Sequence, residues 1–407
     1  MTELSSQPWL HAASTQHLLK AFAAAGEELR FVGGCVRDAV MGRPVKDIDA
    51  ATPATPDRVM VLLESAGIKS VPTGLAHGTI TAVIDRHPFE ITTLRTDNAC
   101  DGRWALVTYT DDWQADAARR DFTMNALYCD AAGQLTDFFG GVEDAKAGRI
   151  VFIGEAADRI REDALRILRF FRFFATHGRP PANEAALTAC TAHADMIAAL
   201  SGERIQHEML KLLGTADPSP ALKLMRQCDV LAQVIPVSQL PDSLQRFTSS
   251  IADQPPDNRY AAFIRLALLL RATDEPQHAA AQLASRWKLS NRDKRILYML
   301  VSTPAQATPD DAAIVKSLRA RGREMTRLLL LRDHAEQGKK TDAITGLLHQ
   351  ADTLPIPEFP LTGDDLLRAG TEPGRAVGKA LKALEDYWEA HGYKPGKDDL
   401  LAVISTL

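Results

Sequence analysis

At 407 residues and 45% apolar content, the chain exceeds one ordinary core, and several domains are expected. A formal net charge of −5 excludes a protein that coats nucleic acid through bulk positive charge; any RNA binding must be local. No apolar run approaches the roughly 18 residues of a membrane span, the start MTELSSQPWLHAAS lacks the order of a signal peptide, and the odd set of five cysteines has no CxxC or Cys/His spacing, so a cytoplasmic protein with reduced, packed thiols is expected.

Residues 16–26 read as an alanine-rich amphipathic helix closed by Gly26. Residues 29–32 follow as a short strand, Gly33-Gly34 as a tight turn, and residues 35–41 as one or two turns of helix ended by Gly42 and Pro44. A second strand carries Asp47-Ile48-Asp49, and alternation turns both carboxylates to one face. A glycine turn opening a helix can hold phosphate, and paired carboxylates can hold a divalent metal together with substrate phosphates. The stretch FVGGCVRDAVMGRPVKDID is therefore a candidate metal-nucleotide site, although an Asp-x-Asp at a strand end is by itself more often a turn or surface pair.

Thr55-Pro56-Asp57 starts a helix that runs through Val59, Leu62 and Leu63 to Gly67. Residues 78–84 and 89–94 form a hairpin in an antiparallel or mixed sheet, which brings a third acid, Glu90, onto a neighbouring strand. Residues 98–112 read as a mobile loop and 113–127 as a helix. Residues 128–139 read as strands about an Ala-Gly turn, and 142–147 follow Gly140-Gly141. Beyond about residue 150 the spacing is helical, over 158–176, 183–200, 202–213, 220–231 and most later segments, with breaks at 217–220, 253–258 and 303–311.

Two helical segments carry further chemistry. In DRIREDALRILRFFRFFAT (158–176), Asp163, Arg166 and Arg169 rise at i+3 steps along one stripe. The plain reading is a salt-bridged face with Glu162 and Arg166 as an i, i+4 pair. A carboxylate beside a guanidinium also imitates a base's pairing edge: Asp accepts from the amino group of cytosine or adenine while Arg donates to the adjacent ring nitrogen, which selects C and A against U and G. In RRDFTMNA (119–126), Arg120 is a candidate triphosphate clamp, with capping and surface charge as the alternative. The basic clusters Arg286, Lys288, Arg292, Lys294, Arg295 and Lys316, Arg319, Arg321, Arg323 read individually as solvated helix faces.

Together and in this order, GGCVRD with DID, RRDFTMNA, EDALRILRFFRF, SGERIQHEMLKLL (201–213) and LTGDDLLRAGTEPGRAVG (361–378) resemble the class II tRNA nucleotidyltransferases, the CCA-adding enzymes, and their relatives the bacterial poly(A) polymerases. The resemblance implies an α+β fold. A DNA polymerase beta-like head over 1–150 would precede an all-helical neck over 151–216, a body over 217–330 and a tail over 331–407 that binds tRNA.

The same resemblance implies that Asp47 and Asp49 bind the catalytic metals, a two-metal Mg²⁺ site, with Glu90 aligned to a strand acid of the catalytic group. It further implies that Gly33, Gly34, Arg37 and Arg120 contact the nucleotide, chiefly its phosphates, while Asp121 and Asn125 shape the ribose and phosphate side. Asp163 and Arg166 would read the base with Arg169 close by, and Arg204, Glu208 and Lys211 would brace the pocket. The implied substrates are CTP, ATP and the acceptor arm of tRNA. Rival readings are poly(A) synthesis, addition of CC or A alone, and, from another class, a non-catalytic RNA-binding protein with a decayed head. The intact Asp47, Asp49, Arg120, Asp163 and Arg166 speak against the last. The compact end at Leu407 and the acidic balance tilt against poly(A) synthesis, and the loop holding Asp101-Gly102-Arg103 favours complete CCA addition.

Overall fold

The structure is a computed structural model, and it describes residues 4–97, 107–251, 256–306, 309–338 and 341–404. The chain divides into two compact units, Met1–Ser238 and Gln239–Leu407. Among the described residues of the first unit nine strands follow the chain: β1 Arg30–Val32, β2 Ile48–Thr52, β3 Lys69–Gly74, β4 Thr79–Ile84, β5 His87–Thr93, β6 Arg95–Asp97, β7 Val107–Tyr109, β8 Leu127–Cys129 and β9 Leu135–Asp137. Seven of them form one sheet in the order β3-β4-β5-β2-β1-β8-β9, and β6 and β7 pair separately. The central pairing of β2 with β5 is parallel and the other pairings are antiparallel, so the sheet is mixed.

Period-two burial sorts the two faces. Phe31, Ala50, Ile80, Ala82, Phe89 and Ile91 pack into one core with Leu18 and Phe22 of the helix Ala13–Ala24 and Val59, Leu62 and Leu63 of the helix Pro56–Ser65. The alternate residues Val32, Ala51 and Tyr128 join Trp113, Leu94 and Ile153 on the opposite side. Asp49 belongs to this second set, because it is two residues from Ala51 on the same strand.

Three local expectations are corrected. Residues 113–127 are not one helix: a helix over Trp113–Ala118 gives way to a 3₁₀ turn at Thr123–Asn125 and then to β8. Phe122 is extended and bridges to Phe152, so long-range pairing overrides the helical spacing. Residues 158–176 form two helices, Ala156–Glu162 and Leu165–His177, with Asp163 extended between them (φ −154°, ψ 105°). The Asp163 carboxylate accepts from the Leu165 amide at 3.1 Å and so turns the chain into the second helix. Third, β7 lies inside the segment expected to be a loop, and Asp112 caps the following helix by accepting from the amides of Gln114 and Ala115. Residues 98–106 of that loop, with Cys100 and Asp101-Gly102-Arg103, lie outside the described residues.

Beyond β9 the described residues are helical apart from turns and the single Phe122–Phe152 bridge. In the second unit the helix Asp311–Gln337 bends at Gly322 (φ 79°) and closes at Gly338 (φ 65°). The expected boundary at residue 330 falls inside that helix. The second basic cluster is largely spent within this unit. Arg319 donates to the Pro357 carbonyl at 2.8 Å and pairs with Glu385, while Arg323 donates to the carbonyls of Ala351 and Leu354.

Candidate active site

Gly33 leaves β1 with φ 73° and ψ −123°, a backbone state that glycine adopts without strain, and the helix Gly34–Val40 begins at the next residue. Next to it on the sheet, β2 carries Asp49, and the parallel register sets Glu90 of β5 directly beside Asp49. Asp47 stands just before β2 and is exposed, as is Glu90. Burial, then the Glu90 and Asp47 carboxylates, push the Asp49 carboxyl up to about 6, against the opposing pull of Arg120 and Arg37. Asp49 and Glu90, side by side on parallel strands with Asp47 just ahead, are oxygen donors of the kind a divalent ion takes. Among the described residues no three His, Cys, Asp or Glu side chains converge into a complete metal cage. The protein thus supplies only part of a coordination shell here, and an ion such as Mg²⁺ would take the remainder from phosphate oxygens and water.

A cavity of about 500 Å³ opens beside Asp49 and is lined by every residue expected to contact the nucleotide, but not by Asp47 and Glu90. These two line a neighbouring cavity, which Asp49 shares. Within the first cavity a chain of hydrogen bonds fixes the polar groups. Arg37 Nη1 donates to Asn125 Oδ1 at 2.8 Å, Asn125 Nδ2 donates to Asp121 Oδ1 at 3.1 Å, and Arg169 Nε donates to Asp121 Oδ2 at 2.7 Å. Burial raises the pKa of Asp121, but Arg169 and the bonds from Asn125 and Phe122 outweigh it and hold the carboxyl below its usual range. Arg169 and Arg172 both reach Glu208 of the helix Gly202–Leu213, which ties that helix to the pocket wall.

Asp163 and Arg166 come together at the cavity, although not as residues of one helix. Asp163 Oδ2 accepts from Arg204 Nη2 at 2.7 Å. Arg166 Nη1 donates to Glu162 at 2.5 Å and to the Arg159 carbonyl at 2.8 Å, so the i, i+4 ion pair considered in the sequence is present across the helix break. Both side chains are thus oriented by protein partners. A carboxylate has about four lone-pair positions and guanidinium five donors, so both retain capacity for a further partner. Arg204 faces the cavity and Glu208 sits behind it, whereas no cavity contact involves Lys211.

The sequence reading missed Asp116, Arg119, Tyr128 and Arg95. Asp116 is 1% exposed and accepts from Arg119 Nε at 2.8 Å, Arg120 Nη2 at 3.1 Å, the Tyr128 hydroxyl at 2.7 Å and the Arg95 amide at 3.3 Å. Burial raises the Asp116 pKa, yet Arg120, Arg119 and Tyr128 hold it below its usual range. The available signal was the spacing of Asp116 to Arg119 and Arg120, i+3 and i+4. Arg95 and Arg119 line the cavity with Arg120.

The profile described as "Poly A polymerase head domain" matches residues 29–151, and the one described as "Probable RNA and SrmB- binding site of polymerase A" matches residues 183–239. A Homo sapiens protein named "CCA tRNA nucleotidyltransferase 1, mitochondrial" is 33% identical over 97% of this chain and 90% of its own length. The "CCA-adding enzyme" of Leuconostoc mesenteroides is 31% identical over 91% of this chain and 90% of its own. The solved Bacillus stearothermophilus CCA-adding enzyme in complex with CTP superposes with a TM-score of 0.73 at 28% identity, covering 97% of this chain and 98% of that one.

Proposed function

The chain belongs to the CCA-adding tRNA nucleotidyltransferase family, and from that premise we propose that CTP and ATP are joined to the tRNA 3′ end in the cavity beside Asp49. It is a template-independent nucleotidyltransferase that builds or repairs the 3′-terminal CCA of tRNA. The observation that carries the site assignment is that one cavity collects the Gly33-Gly34 turn, Arg120, Asp49 and the Asp163 and Arg166 pair.

The chemistry is an in-line displacement. The RNA 3′-hydroxyl attacks the α-phosphorus of the nucleotide, the new phosphodiester forms, and the bond to pyrophosphate breaks. Gly33, Gly34 and Arg120 hold the triphosphate, since guanidinium matches phosphate oxygens with two donors at once. Asp121, held by Arg169, and Asn125, held to Arg37, shape the ribose side. Asp163 accepts from the amino group of C or A while Arg166 donates to the neighbouring ring nitrogen. Asp47 and Asp49 would hold Mg²⁺, with Glu90 adding negative charge beside them. When bound, the metal supplies acidification of the attacking hydroxyl and neutralisation of charge on the departing phosphates.

The regions of the chain are a head, a neck, a body and a tail, with the last boundary moved to Gly338, and the tail is assigned to tRNA binding. A reducing, cytoplasmic compartment is supported by the free, buried thiols of Cys35, Cys129, Cys190 and Cys228. Among the described residues no helix is long and apolar enough to cross a membrane. The site assignment is tested by Asp49→Ala: incorporation of CTP and ATP should both be abolished while tRNA binding persists, and normal turnover would remove Asp49 from the site.

A further inference from the structure

Arg159 takes no part in the chemistry proposed above and lines neither cavity beside Asp49, yet it touches both halves of the nucleotide pocket. It lies in the last turn of the helix Ala156–Glu162, just ahead of Asp163. Its guanidinium crosses to a segment far back in the chain, where Nη2 donates to the carbonyls of Arg119 at 2.5 Å and Arg120 at 2.8 Å. The helix Trp113–Ala118 ends at Arg119, and carbonyls at a helix end have no intrahelical partner.

The Arg159 backbone serves the other half. Its carbonyl accepts from Arg166 Nη1 at 2.8 Å, and Glu162 pairs with Arg159 and Arg166 together. Arg166 Nη2 also approaches the Arg119 carbonyl at 3.4 Å. The Arg159 and Arg166 side chains are each 12% exposed, so these contacts are largely shielded from water and hold both groups in place. One residue thus carries the base-reading arginine on its carbonyl and the backbone of the triphosphate clamp on its side chain. Asp116, by contrast, fixes the side chains of Arg119 and Arg120 and makes no contact with Asp163 or Arg166 among its hydrogen bonds.

We propose that Arg159 is a positioning residue that couples base recognition to placement of the triphosphate, an inference that rests on the functional reading above. A C or A that satisfies Asp163 and Arg166 fixes Arg166 against the Arg159 carbonyl. The Arg159 guanidinium carries that alignment to the Arg119-Arg120 backbone, and the α-phosphorus comes into line with the attacking hydroxyl. U or G presents the reversed pattern of donors and acceptors and gains no such alignment. Selection is therefore expressed in turnover as well as in binding.

The test uses the full chain, with tRNA lacking CCA for CTP and UTP and tRNA ending in CC for ATP and GTP. The variants are Arg159→Ala, Arg159→Lys and, as a control on the functional reading, Arg166→Ala. Arg159→Ala should lower kcat for CTP and ATP about 100-fold, the size of a small misplacement of reacting groups, with KM little changed. For UTP and GTP, which lack the alignment, kcat should move far less. Arg159→Lys keeps the charge and a donor for one carbonyl, so it should show the same pattern in smaller measure, and it is the variant to read if Arg159→Ala fails to fold. An equal fall with all four triphosphates, as a purely structural brace predicts, would overturn the coupling. So would a loss confined to KM, or an unchanged kcat for CTP and ATP. If Arg166→Ala left base choice unaltered, the functional reading would fall instead.

Discussion

The Asp116 carboxylate holds the Arg120 guanidinium at 3.1 Å and, through the Tyr128 hydroxyl at 2.7 Å, supports the same side chain a second time, because Arg120 Nε also donates to Tyr128. Asp116 is a positioning residue: it lines neither cavity, yet it sets the direction of two arginines that do. Asp116→Ala leaves two largely buried guanidinium groups without their carboxylate and should cost about 3–5 kcal/mol of stability by denaturant unfolding. Asp116→Asn keeps the shape and should raise KM for CTP and ATP in parallel without altering base choice. A change in base choice would place its role elsewhere.

Base selection is assigned to Asp163 and Arg166. Asp163→Ala and Arg166→Ala should each relax discrimination against UTP and GTP by about 1–3 kcal/mol, the value of a good bidentate base contact. Single-nucleotide incorporation with each of the four triphosphates reads this directly. Arg204→Ala, which removes the partner of Asp163 Oδ2, should loosen selection in the same direction by less.

Acid should weaken the pocket through Asp121. Its folded pKa lies below the unfolded value because Arg169, Asn125 and the Phe122 amide outweigh burial. The stability it contributes is therefore complete above about pH 4 and is lost as the pH falls through the depressed folded pKa. Unfolding free energies measured from pH 6 downward should decline less steeply below about pH 4 in Asp121→Asn than in the wild type, even though the variant starts less stable.

The proposed metal site at Asp47 and Asp49 predicts metal dependence. Chelation should abolish incorporation and added Mg²⁺ should restore it. Mg²⁺ with CTP at about 100 times its Kd should stabilise the wild type by roughly 2.7 kcal/mol, and this increment should shrink in Asp47→Ala and Asp49→Ala. Thermal unfolding with and without the pair measures it independently of turnover.

The first motif was legible because its signals are local: glycine at a positive φ, a short helix behind it, and alternation that turns Asp49 away from Ile48 and Ala50. Glu90 was legible as a neighbouring strand acid, but its register with Asp49 comes from sheet pairing. The break at Asp163 was not legible, since EDAL holds no glycine or proline and its apolar spacing continues a helix. Its extended backbone accompanies contacts to Leu165 and, 41 residues away, Arg204. β3 escaped notice because its exposure does not alternate and it lies on the sheet edge. Tyr128 was legible as a strand residue, but its hydroxyl partner Asp116 lies on a helix, and that meeting is a product of the tertiary fold.

The proposed pocket should add C and A to tRNA in a limited number. Purified enzyme should be given tRNA ending before, within and after CCA, with CTP and ATP together, and the 3′ ends sequenced. Every substrate should finish at CCA, and tRNA already ending in CCA should remain unextended. A long A tail, or products that stop at CC or accept only a final A, would contradict it.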